Sequence, residues 1–519
     1  MKKYLLIIVA MMLATVIRAT VIYHAGCSFI VTSETDHTVE LVYYSDIATE
    51  VKLPDSVTNN GTQYAVTSIG EYAIKSRYLT SVIIPNTVTK IGVHAFSSCI
   101  SLPTITIPKS VTEIGDAAFV CGESLKDIYV EDGNRFYCSD NGVLYNSDMT
   151  ELVQCPGGRV EFDFPNTVTK IGDNAFSYCI GLTTLTIPNS VTSIGDCAFS
   201  YCTCLSSVTI PNSVTTIGER AFSRCTSLTT IAIPHSVTEI GVYAFESCRN
   251  LTSVTIPNSI TTIGSGVFHD CSSLITVTIP NSVTSIGVGA FFRCTGLTSV
   301  TIPKSMSEFD VNLFCGCTNL TKIIDMNPTP QIIGRNVFVN VPADAVIYIP
   351  KGSYKDYTQA EGWSYFSDFR EMGAFDITLS ASNLELGEGE SAELMVNIVK
   401  DDDVTAVEHE WLSSNSEVAA VADGKVTAIA PGKAVITYIV YDSYGTAHSE
   451  SCTVTVTDSA GIDDILNDTS IMADVYNMQG VAVLRNARTA DIDALPSGLY
   501  IVRRGNKAEK VFKKHGVIK

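Results

Sequence analysis

Positive charge is scarce in this chain. Lysine and arginine together number 34, against 54 aspartates and glutamates, and the formal net charge is −20. Binding to a phosphate backbone needs lysine and arginine clustered in a basic stripe or patch, and no such cluster is visible in the sequence. We therefore expect no nucleic-acid partner.

Long apolar runs are also lacking, except near the N-terminus. There, two lysines precede the apolar run of residues 4–17, which is too short to span a bilayer. We predict a signal peptide over residues 1–19. An alternative is a lipoprotein signal that ends at a lipidated Cys27, but His24 and the distance of this cysteine from the apolar run argue against it.

Motifs of catalysis and metal binding are missing as well. The sequence has no His-Glu-x-x-His, no Gly-x-Ser-x-Gly and no phosphate-binding glycine loop. The Cys-x-Cys pairs at 202–204 and 315–317 lack the second pair, or the histidines, that a zinc site needs. We expect no enzyme, no catalytic residues, no cofactor and no metal, and we expect His94 and His235 to face solvent.

What the sequence has instead is a phrase of 23 residues that is repeated almost without drift. Strict self-similarity at this period is typical of a solenoid, in which each repeat forms one coil stacked on the last. Looser copies on either side extend the pattern to about a dozen coils, so we predict a mainly β solenoid. The clearest copies begin at Pro188, Pro211, Pro234, Pro257, Pro280 and Pro303.

One copy indicates how a coil is built. Residues 205–210 have the L-x-x-L-x-L spacing of a leucine-rich repeat strand, in which Thr209 faces outward. Pro211 ends the strand because it has no N–H to donate. Gly218 suits a corner that needs either an unusual backbone angle or the close approach of another backbone. Phe222 recurs in every copy and predicts a spine of stacked phenylalanines.

Cysteine also recurs at a fixed repeat position. A residue fixed to the repeat period occupies a core position, where free cysteine packs as a small apolar side chain. We therefore expect a ladder of reduced, buried thiols rather than disulfides. Cys138 and Cys155 lie off the ladder and are the better disulfide candidates. The ladder positions, each three residues after a phenylalanine, are Cys99, Cys179, Cys202, Cys225, Cys248, Cys271, Cys294 and Cys317.

The repeat resembles the BspA-like leucine-rich repeat, whose unit carries the same I-P-x-x-V-x-x-I-G-x-x-A-F-x-x-C pattern. A hairpin insertion at residues 141–145 and the Tyr-Ile-Pro-Lys-Gly stretch at 348–352 also resemble that family. The resemblance implies a leucine-rich repeat solenoid with terminal caps over residues 20–373. It further implies surface binding, because such proteins are known as bacterial surface adhesins and some related members bind host matrix proteins or other cells.

The outward strand positions of the solenoid are mostly hydroxyl residues. Threonine suits any solvated strand, but these rows would also form a flat, uncharged, hydrogen-bonding surface for a protein or a glycan. Regular hydroxyl rows occur in ice-binding solenoids too, and the lack of aromatic residues here disfavours stacking on sugars. We predict as ligand-binding residues Thr184, Thr186, Ser207, Thr209, Thr230, Ser253, Thr255, Thr276, Thr278, Ser299 and Thr301.

Residues 374–458 resemble the group 2 bacterial immunoglobulin-like domain. The segments 411–415, 424–428 and 432–437 carry the resemblance, and short alternating strands predict a β-sandwich. The resemblance implies a spacer or adhesion module. Three consecutive aspartates at 401–403 fit either a solvated turn or a calcium site.

Residues 459–519 form the last predicted unit, a small β domain. The segments 475–480, 495–502 and 510–514 resemble the type IX secretion sorting domain of Bacteroidetes. That resemblance implies contact with the secretion machinery and transport across the outer membrane. The alternative is a small β domain that stays on the protein.

Together these features predict a non-enzymatic bacterial cell-surface protein, an adhesin that uses the solenoid face to bind host matrix proteins or other cells. Its partner would be an extracellular protein or glycan. The alternatives are a glycan-capture protein of a nutrient system and a structural surface component without a specific ligand. We expect the protein to be secreted or held on the outer-membrane surface of a Gram-negative bacterium. The sequence leaves open the ligand, the face that binds, cleavage of the C-terminal domain and the oligomeric state.

Overall fold

The computed structural model describes a mainly β chain, as the sequence predicts. The described residues are 20–44, 49–120, 122–373, 375–401, 404–444, 447–457, 472–477, 481–487, 498–504, 507–514 and 517–518. The chain divides into two compact units, Met1–Ala374 and Phe375–Lys519. Within the described ranges, no helix is both long and apolar enough to cross a membrane. The predicted signal peptide, residues 1–19, lies outside the described residues.

Each coil of the first unit contains a short strand whose residues alternate between core and solvent. In Ser207–Thr209, Val208 is buried between two exposed neighbours, and the strand pairs in parallel with Thr184–Thr186 at a register of one repeat. The predicted solenoid is confirmed, with about 14 coils rather than about a dozen. This first row consists of Glu50–Lys52, Ser81–Ile83, Thr104–Ile107, Asp127–Val130, Thr184–Thr186, Ser207–Thr209, Thr230–Ala232, Ser253–Thr255, Thr276–Thr278, Ser299–Ile302, Lys322–Asp325, Val346–Pro350 and Asp368–Met372.

A second row of parallel strands, which the sequence does not predict, lies on another side of the coils. Most of its members have two residues, as in Thr216–Ile217, whose isoleucine points into the core. The Gly218 N–H extends the pairing by donating to the Ile194 carbonyl at 2.9 Å. The second row consists of Thr38–Tyr44, Thr62–Ile69, Lys90–Ile91, Glu113–Ile114, Glu151–Gln154, Lys170–Ile171, Ser193–Ile194, Thr216–Ile217, Glu239–Ile240, Thr262–Ile263, Ser285–Ile286, Glu308–Phe309 and Ile332–Ile333.

The third side of each coil is a series of turns, which we call the turn side. Of the two roles considered for Gly218, close approach is the one observed, because a Cβ there would lie 2.5 Å from the carbonyl carbon of Gly195. Left-handed backbone occurs instead at Arg220 and Arg224, with φ of 51° and 61°. Their N–H groups donate to carbonyls of the next coil, which offsets the strain of this conformation.

The core contains the predicted phenylalanine spine. The Phe222 ring stacks on Phe199 with centroids 5.0 Å apart and on Phe245 at 5.5 Å, and all three rings are fully buried. The buried side chains of the first unit fall into two clusters, one ending at Leu144 and the other beginning at Val143. The division coincides with a hairpin insertion in the solenoid.

The insertion is the hairpin that the sequence predicts. Tyr137–Asp140 pairs with Val143–Asn146 in antiparallel fashion, and Asn141 and Gly142 form the turn with positive φ angles of 46° and 73°. Positive φ at both central residues is the geometry that an Asn-Gly turn favours. Val143–Asn146 in turn pairs with Glu151–Gln154, from which the second row resumes.

The N-terminal end of the solenoid is covered by a small antiparallel sheet. Val21–His24 pairs with Cys27–Ser33, which pairs with Thr38–Tyr44, the first strand of the second row. Ser56–Asn59 pairs in antiparallel fashion with Thr62–Ile69. The buried aromatic side chain of Phe29 belongs to the adjoining core cluster.

The C-terminal end is covered by the α-helix Tyr354–Gln359 and the 3-10 helix Trp363–Tyr365. Trp363 is fully buried and contacts Phe338, the last ring of the spine, at 5.5 Å. These helices form a C-terminal cap, as the family resemblance implies. After them the chain adds one more strand to the first row, because Asp368–Met372 pairs in parallel with Val346–Pro350.

The second unit opens with an immunoglobulin-like fold of short sheets. A four-stranded sheet has the order Asn383–Gly387, Ala447–Thr457, Gly432–Asp442 and Ala406–Ser413. A three-stranded sheet has the order Ser391–Glu393, Lys425–Ala428 and Ala419–Ala422, and Phe375–Leu379 pairs with Val396–Lys400. Ile436, Cys452 and Val454 lie in its core. Two of the three aspartates at 401–403 lie outside the described residues.

The chain ends in a five-stranded antiparallel sheet. Its order is Ala482–Ala487, Ala473–Asn477, Gly498–Arg504, Lys507–Lys514 and Val517–Ile518.

Candidate binding surface

The eleven hydroxyl residues predicted to bind ligand all lie on the outer face of the first strand row. Nine are exposed, and Ser299 and Thr301 are half-buried. They stand in two columns that run from coil to coil, since the register joins Thr184 to Ser207 and Thr186 to Thr209. Ala232 takes the place of a hydroxyl residue in the second column, so that column is interrupted once.

Within the described part of the chain, none of these eleven hydroxyls makes a hydrogen bond to the protein. The hydroxyls one position earlier behave differently, because Ser206 donates to the Thr183 carbonyl at 3.0 Å and Thr252 donates to the Thr229 carbonyl at 3.1 Å. The predicted surface therefore consists of the hydroxyl groups that coil stacking leaves unused. No charged side chain interrupts it between residues 184 and 301 in the strands of the row.

Aromatic and arginine side chains that the sequence reasoning passes over gather on the turn side. Tyr178 and Tyr201 stack with centroids 4.4 Å apart, and the Arg224 guanidinium lies 5.1 Å from the Tyr201 centroid. Further along, His269 stacks on Phe292 at 4.8 Å. One feature of the sequence could have indicated these side chains. The two positions between each spine phenylalanine and the following ladder cysteine vary from copy to copy, whereas the rest of the repeat changes little.

Carboxylates also line up on the turn side. Asp173 Oδ1 accepts the N–H of Asp196 at 2.8 Å, and Asp196 Oδ1 accepts the N–H of Glu219 at 2.6 Å. Because the two aspartates bond backbone N–H groups of the next coil, they contribute to coil stacking.

The two histidines that we expected to face solvent are both half-buried. His94 stacks on Tyr72 with centroids 4.8 Å apart. The Nδ1 atom of His235 is buried and has no hydrogen-bond partner in the described part of the chain, and burial lowers the pKa of this side chain. His235 replaces the asparagine of the Pro-Asn-Ser turn, so its ring lies against the coil rather than in water.

A cleft that the sequence does not predict interrupts the solenoid. It has a volume of about 310 Å³ and lies beside the hairpin insertion. Its lining includes Ile114, Phe119, Tyr137 and Gln154, together with the exposed carboxylate of Asp116.

A family model for the BspA-type leucine-rich repeat region matches six copies over residues 67–157, 159–275 and 238–355. The chain belongs to the BspA-type leucine-rich repeat family. A model for the group 2 bacterial Ig-like domain matches residues 375–460, so the second resemblance is confirmed as well. The resemblance to a type IX sorting domain stays a prediction.

Several solved structures are similar to this BspA-type chain. A leucine-rich cell surface protein from Faecalibacterium prausnitzii is 28% identical and is matched over 68% of this chain and 95% of its own, with a TM-score of 0.38. Leucine-rich repeat proteins from Bacteroides ovatus and Eubacterium ventriosum are 25% and 24% identical. The Bacteroides ovatus match covers 70% of this chain and 94% of its own, with a TM-score of 0.38. The Eubacterium ventriosum match covers 61% of this chain and 93% of its own, with a TM-score of 0.42. No curated protein matches the chain significantly.

The cysteine of the BspA-type repeat is a buried hydrogen-bond donor. Cys225 Sγ lies 3.2 Å from the Phe199 carbonyl oxygen and Cys248 Sγ lies 3.2 Å from that of Phe222, so each thiol donates toward the preceding coil. Burial raises the pKa of Cys248 to about 12, which keeps the thiol protonated at neutral pH. The expected ladder of reduced thiols is confirmed.

In each cysteine pair considered for a disulfide or a metal site, the two side chains differ in burial. Cys138 and Cys155 are both free, which contradicts their candidate disulfide, and the Cys138 thiol instead donates to the Asn146 carbonyl at 3.2 Å. Cys202 is buried whereas Cys204 is exposed, so the two face different surroundings. Among the described residues, no group of three histidines, cysteines or carboxylates is arranged to hold a metal ion.

Proposed function

We propose that the protein is a non-enzymatic bacterial surface adhesin that binds an extracellular protein through the two hydroxyl columns of the first strand row. The observation that carries the proposal is the set of eleven outward hydroxyls that make no hydrogen bond within the described chain. Membership of the BspA-type leucine-rich repeat family supports it, because the resemblance to that family implies surface binding.

The chemistry of the columns favours contact with another macromolecule. A hydroxyl both donates and accepts hydrogen bonds, and parallel strands place successive hydroxyls about 4.8 Å apart along each column. A long uncharged surface of this kind can pair with many polar groups of a partner at once. The surrounding net charge of −20 would act against acidic partners and leave neutral or basic ones.

Export is part of the same proposal. Residues 1–19 would direct the chain out of the cytoplasm, and residues 459–519 would engage the secretion machinery that delivers it to the cell surface. Residues 375–457, which carry the bacterial Ig-like match, would act as a spacer.

Four valine substitutions in one column test the binding surface. In the full chain, Thr186→Val, Thr209→Val, Thr255→Val and Thr278→Val keep the β-branched shape and remove the hydroxyls, so the fold is retained. We expect binding to immobilised collagen, fibronectin or laminin, or to whole host cells, to fall at least tenfold.

The matched control makes the same change at the threonine just before each second-row strand, where an exposed hydroxyl bonds the preceding coil. Thr192→Val, Thr215→Val, Thr238→Val and Thr284→Val should leave binding within about twofold of the unaltered chain. Equal losses in both quadruple variants would contradict the proposal. Binding only to isolated glycans would favour a capture function, and no binding to any of these probes would favour a structural one.

A further inference from the structure

The cleft beside the hairpin insertion lies where coil stacking is broken. In the second row, Glu113–Ile114 pairs with Lys90–Ile91 on one side, and no described strand pairs with its other side. The next strand of the row, Glu151–Gln154, pairs on its near side with Val143–Asn146 of the hairpin. The outer edge of Glu113–Ile114 therefore faces the cleft instead of another coil.

Backbone donors that are satisfied in regular coils line this cleft. Asn174 and Phe176 donate their N–H groups to the carbonyls of Asp196 and Ala198 in the next coil, at 2.8 and 2.7 Å. Ala117 and Phe119 are the corresponding residues at the break, and both side chains are buried. Both residues line the cleft, and no acceptor for either N–H group is found among the described residues. Buried N–H groups are rarely left without a partner in folded proteins.

Backbone acceptors are exposed to the same cleft. In a regular coil the Ile171 carbonyl accepts the N–H of Gly195 at 2.9 Å. The corresponding carbonyl at the break belongs to Ile114, and none of the described N–H groups reaches it. The cleft thus offers both donors and acceptors from its backbone wall.

The opposite wall adds an aromatic ring and polar side chains. Phe136 is half exposed at the cleft, and Tyr137 accepts the Ile114 N–H on its hydroxyl oxygen at 3.1 Å. The carboxylates of Asp116 and Asp173 are exposed, whereas Glu151 is paired with Lys170 at 2.8 Å. An apolar ring face therefore lies next to carboxylate acceptors and unpaired backbone groups.

This combination selects one class of ligand, and we propose that the cleft binds a neutral pyranose unit of a glycan. An anion would be repelled by the two carboxylates, and a cation would leave the N–H groups of Ala117 and Phe119 without acceptors. A peptide strand adding to the edge would find the Ile114 N–H already bonded by Tyr137. A sugar supplies hydroxyls that both donate and accept, together with an apolar ring face to lie on Phe136. A volume of about 310 Å³ lies within the range of small-ligand pockets.

Two substitutions in the full chain test the cleft. Phe136→Ala removes the exposed ring, and Thr112→Trp fills the cleft from an exposed position in its lining. The probes are methyl glycosides of glucose, galactose, mannose and N-acetylglucosamine, together with maltose and cellobiose, and binding is followed by calorimetry. We expect at least one of these neutral sugars to bind, and each substitution to weaken that binding at least tenfold.

Matched controls separate the cleft from the rest of the solenoid. Tyr129→Ala removes an exposed aromatic residue of the first row, and Thr215→Trp makes the same change as Thr112→Trp in a regular coil. Both should bind the sugar within about twofold of the unaltered chain. The proposal is overturned if no sugar of the panel binds, if the controls weaken binding as much as the cleft variants, or if butylamine or an extended peptide occupies the cleft instead.

Discussion

At the residue scale, the positions that recur with the repeat are those whose surroundings every coil reproduces. Phe222 meets a phenylalanine above and below it, and Cys225 meets a carbonyl oxygen of the preceding coil. The sequence predicts the surroundings of both residues, because each recurs every 23 residues and meets the same groups in the neighbouring coils. Cys138 has no such periodic surroundings, so its partner, the Asn146 carbonyl, was not predictable.

One buried carboxyl near the C-terminal cap departs from this regularity. Asp325 is fully buried at the end of a first-row strand, and its Oδ1 accepts the side-chain amide of Gln331 at 2.9 Å and the Asn327 N–H at 3.0 Å. Among the described residues, its Oδ2 and the Oε1 of Gln331 have no hydrogen-bond partner, and the nearby Tyr357 hydroxyl donates to the Asn327 carbonyl at 2.7 Å. Burial raises the pKa of Asp325 to about 7, although its hydrogen bonds act in the opposite direction.

This carboxyl predicts a pH dependence of stability. The pKa of Asp325 is higher in the folded chain than in the unfolded chain, so the protonated carboxyl favours the folded state. This contribution to the free energy of unfolding is fully present below about pH 4 and is lost as the pH rises through 7. Asp325→Asn has no such titration, and its amide supplies a donor to the site. The free energy of unfolding of the unaltered chain should therefore fall relative to the variant by on the order of 4 kcal/mol between pH 4 and pH 8.

Denaturant unfolding at the two pH values measures this difference. Asp344→Asn, which changes an exposed carboxylate of the same cap region, is the control and should parallel the unaltered chain. A constant difference between the unaltered chain and Asp325→Asn across the range would show that the carboxyl does not titrate as described.

At the scale of the elements, the two strand rows differ in how far the sequence predicts them. The first row alternates core and solvent over three or more residues, which is a local signal. The second row is mostly two residues long, and it is a sheet only because Thr216–Ile217 meets an identical segment in each neighbouring coil. The turn side is harder still to predict from the sequence, because the left-handed backbone at Arg220 depends on a hydrogen-bond acceptor in the next coil.

The glycine of the repeat gives a prediction about stacking. Gly218→Ala would place a Cβ 2.5 Å from the Gly195 carbonyl carbon and 2.7 Å from the Asp196 nitrogen, both of which are backbone atoms that cannot move aside. We expect the substitution to destabilise the solenoid by about 1–3 kcal/mol in denaturant unfolding, as overpacking does.

The same glycine position in a later coil provides the control. A Cβ on Gly264 would have its nearest neighbour at 3.4 Å, an ordinary contact, and the residue is not left-handed. Gly264→Ala should be neutral or stabilising by up to about 1 kcal/mol, because alanine restricts the unfolded chain. Similar costs for both substitutions would mean that close approach of the coils is not the reason for the glycine.

At the scale of the whole molecule, the sequence predicts the repeat region and the Ig-like domain that follows it, but it does not predict where the regular stacking of the coils breaks. The sequence predicts the hairpin insertion at residues 141–145, yet not the cleft beside it. The cleft arises because Ala117 and Phe119 lose acceptors that a regular coil would supply, and a missing partner leaves no mark in the sequence of either residue. The hydroxyl columns, by contrast, follow directly from the period.

The last prediction concerns the proposed route of this chain to the cell surface and the part that residues 459–519 play in it. If residues 459–519 are a sorting domain, the chain without them should still leave the cytoplasm but remain in the periplasm of a Gram-negative host that carries the type IX machinery. Cell fractionation and protease treatment of intact cells measure the location of the truncated chain.

The control is a chain that lacks residues 375–457 instead. It should still reach the surface, because the terminal sheet is retained. Surface exposure of the chain without 459–519 would refute the sorting role and leave that sheet as a module of the mature protein.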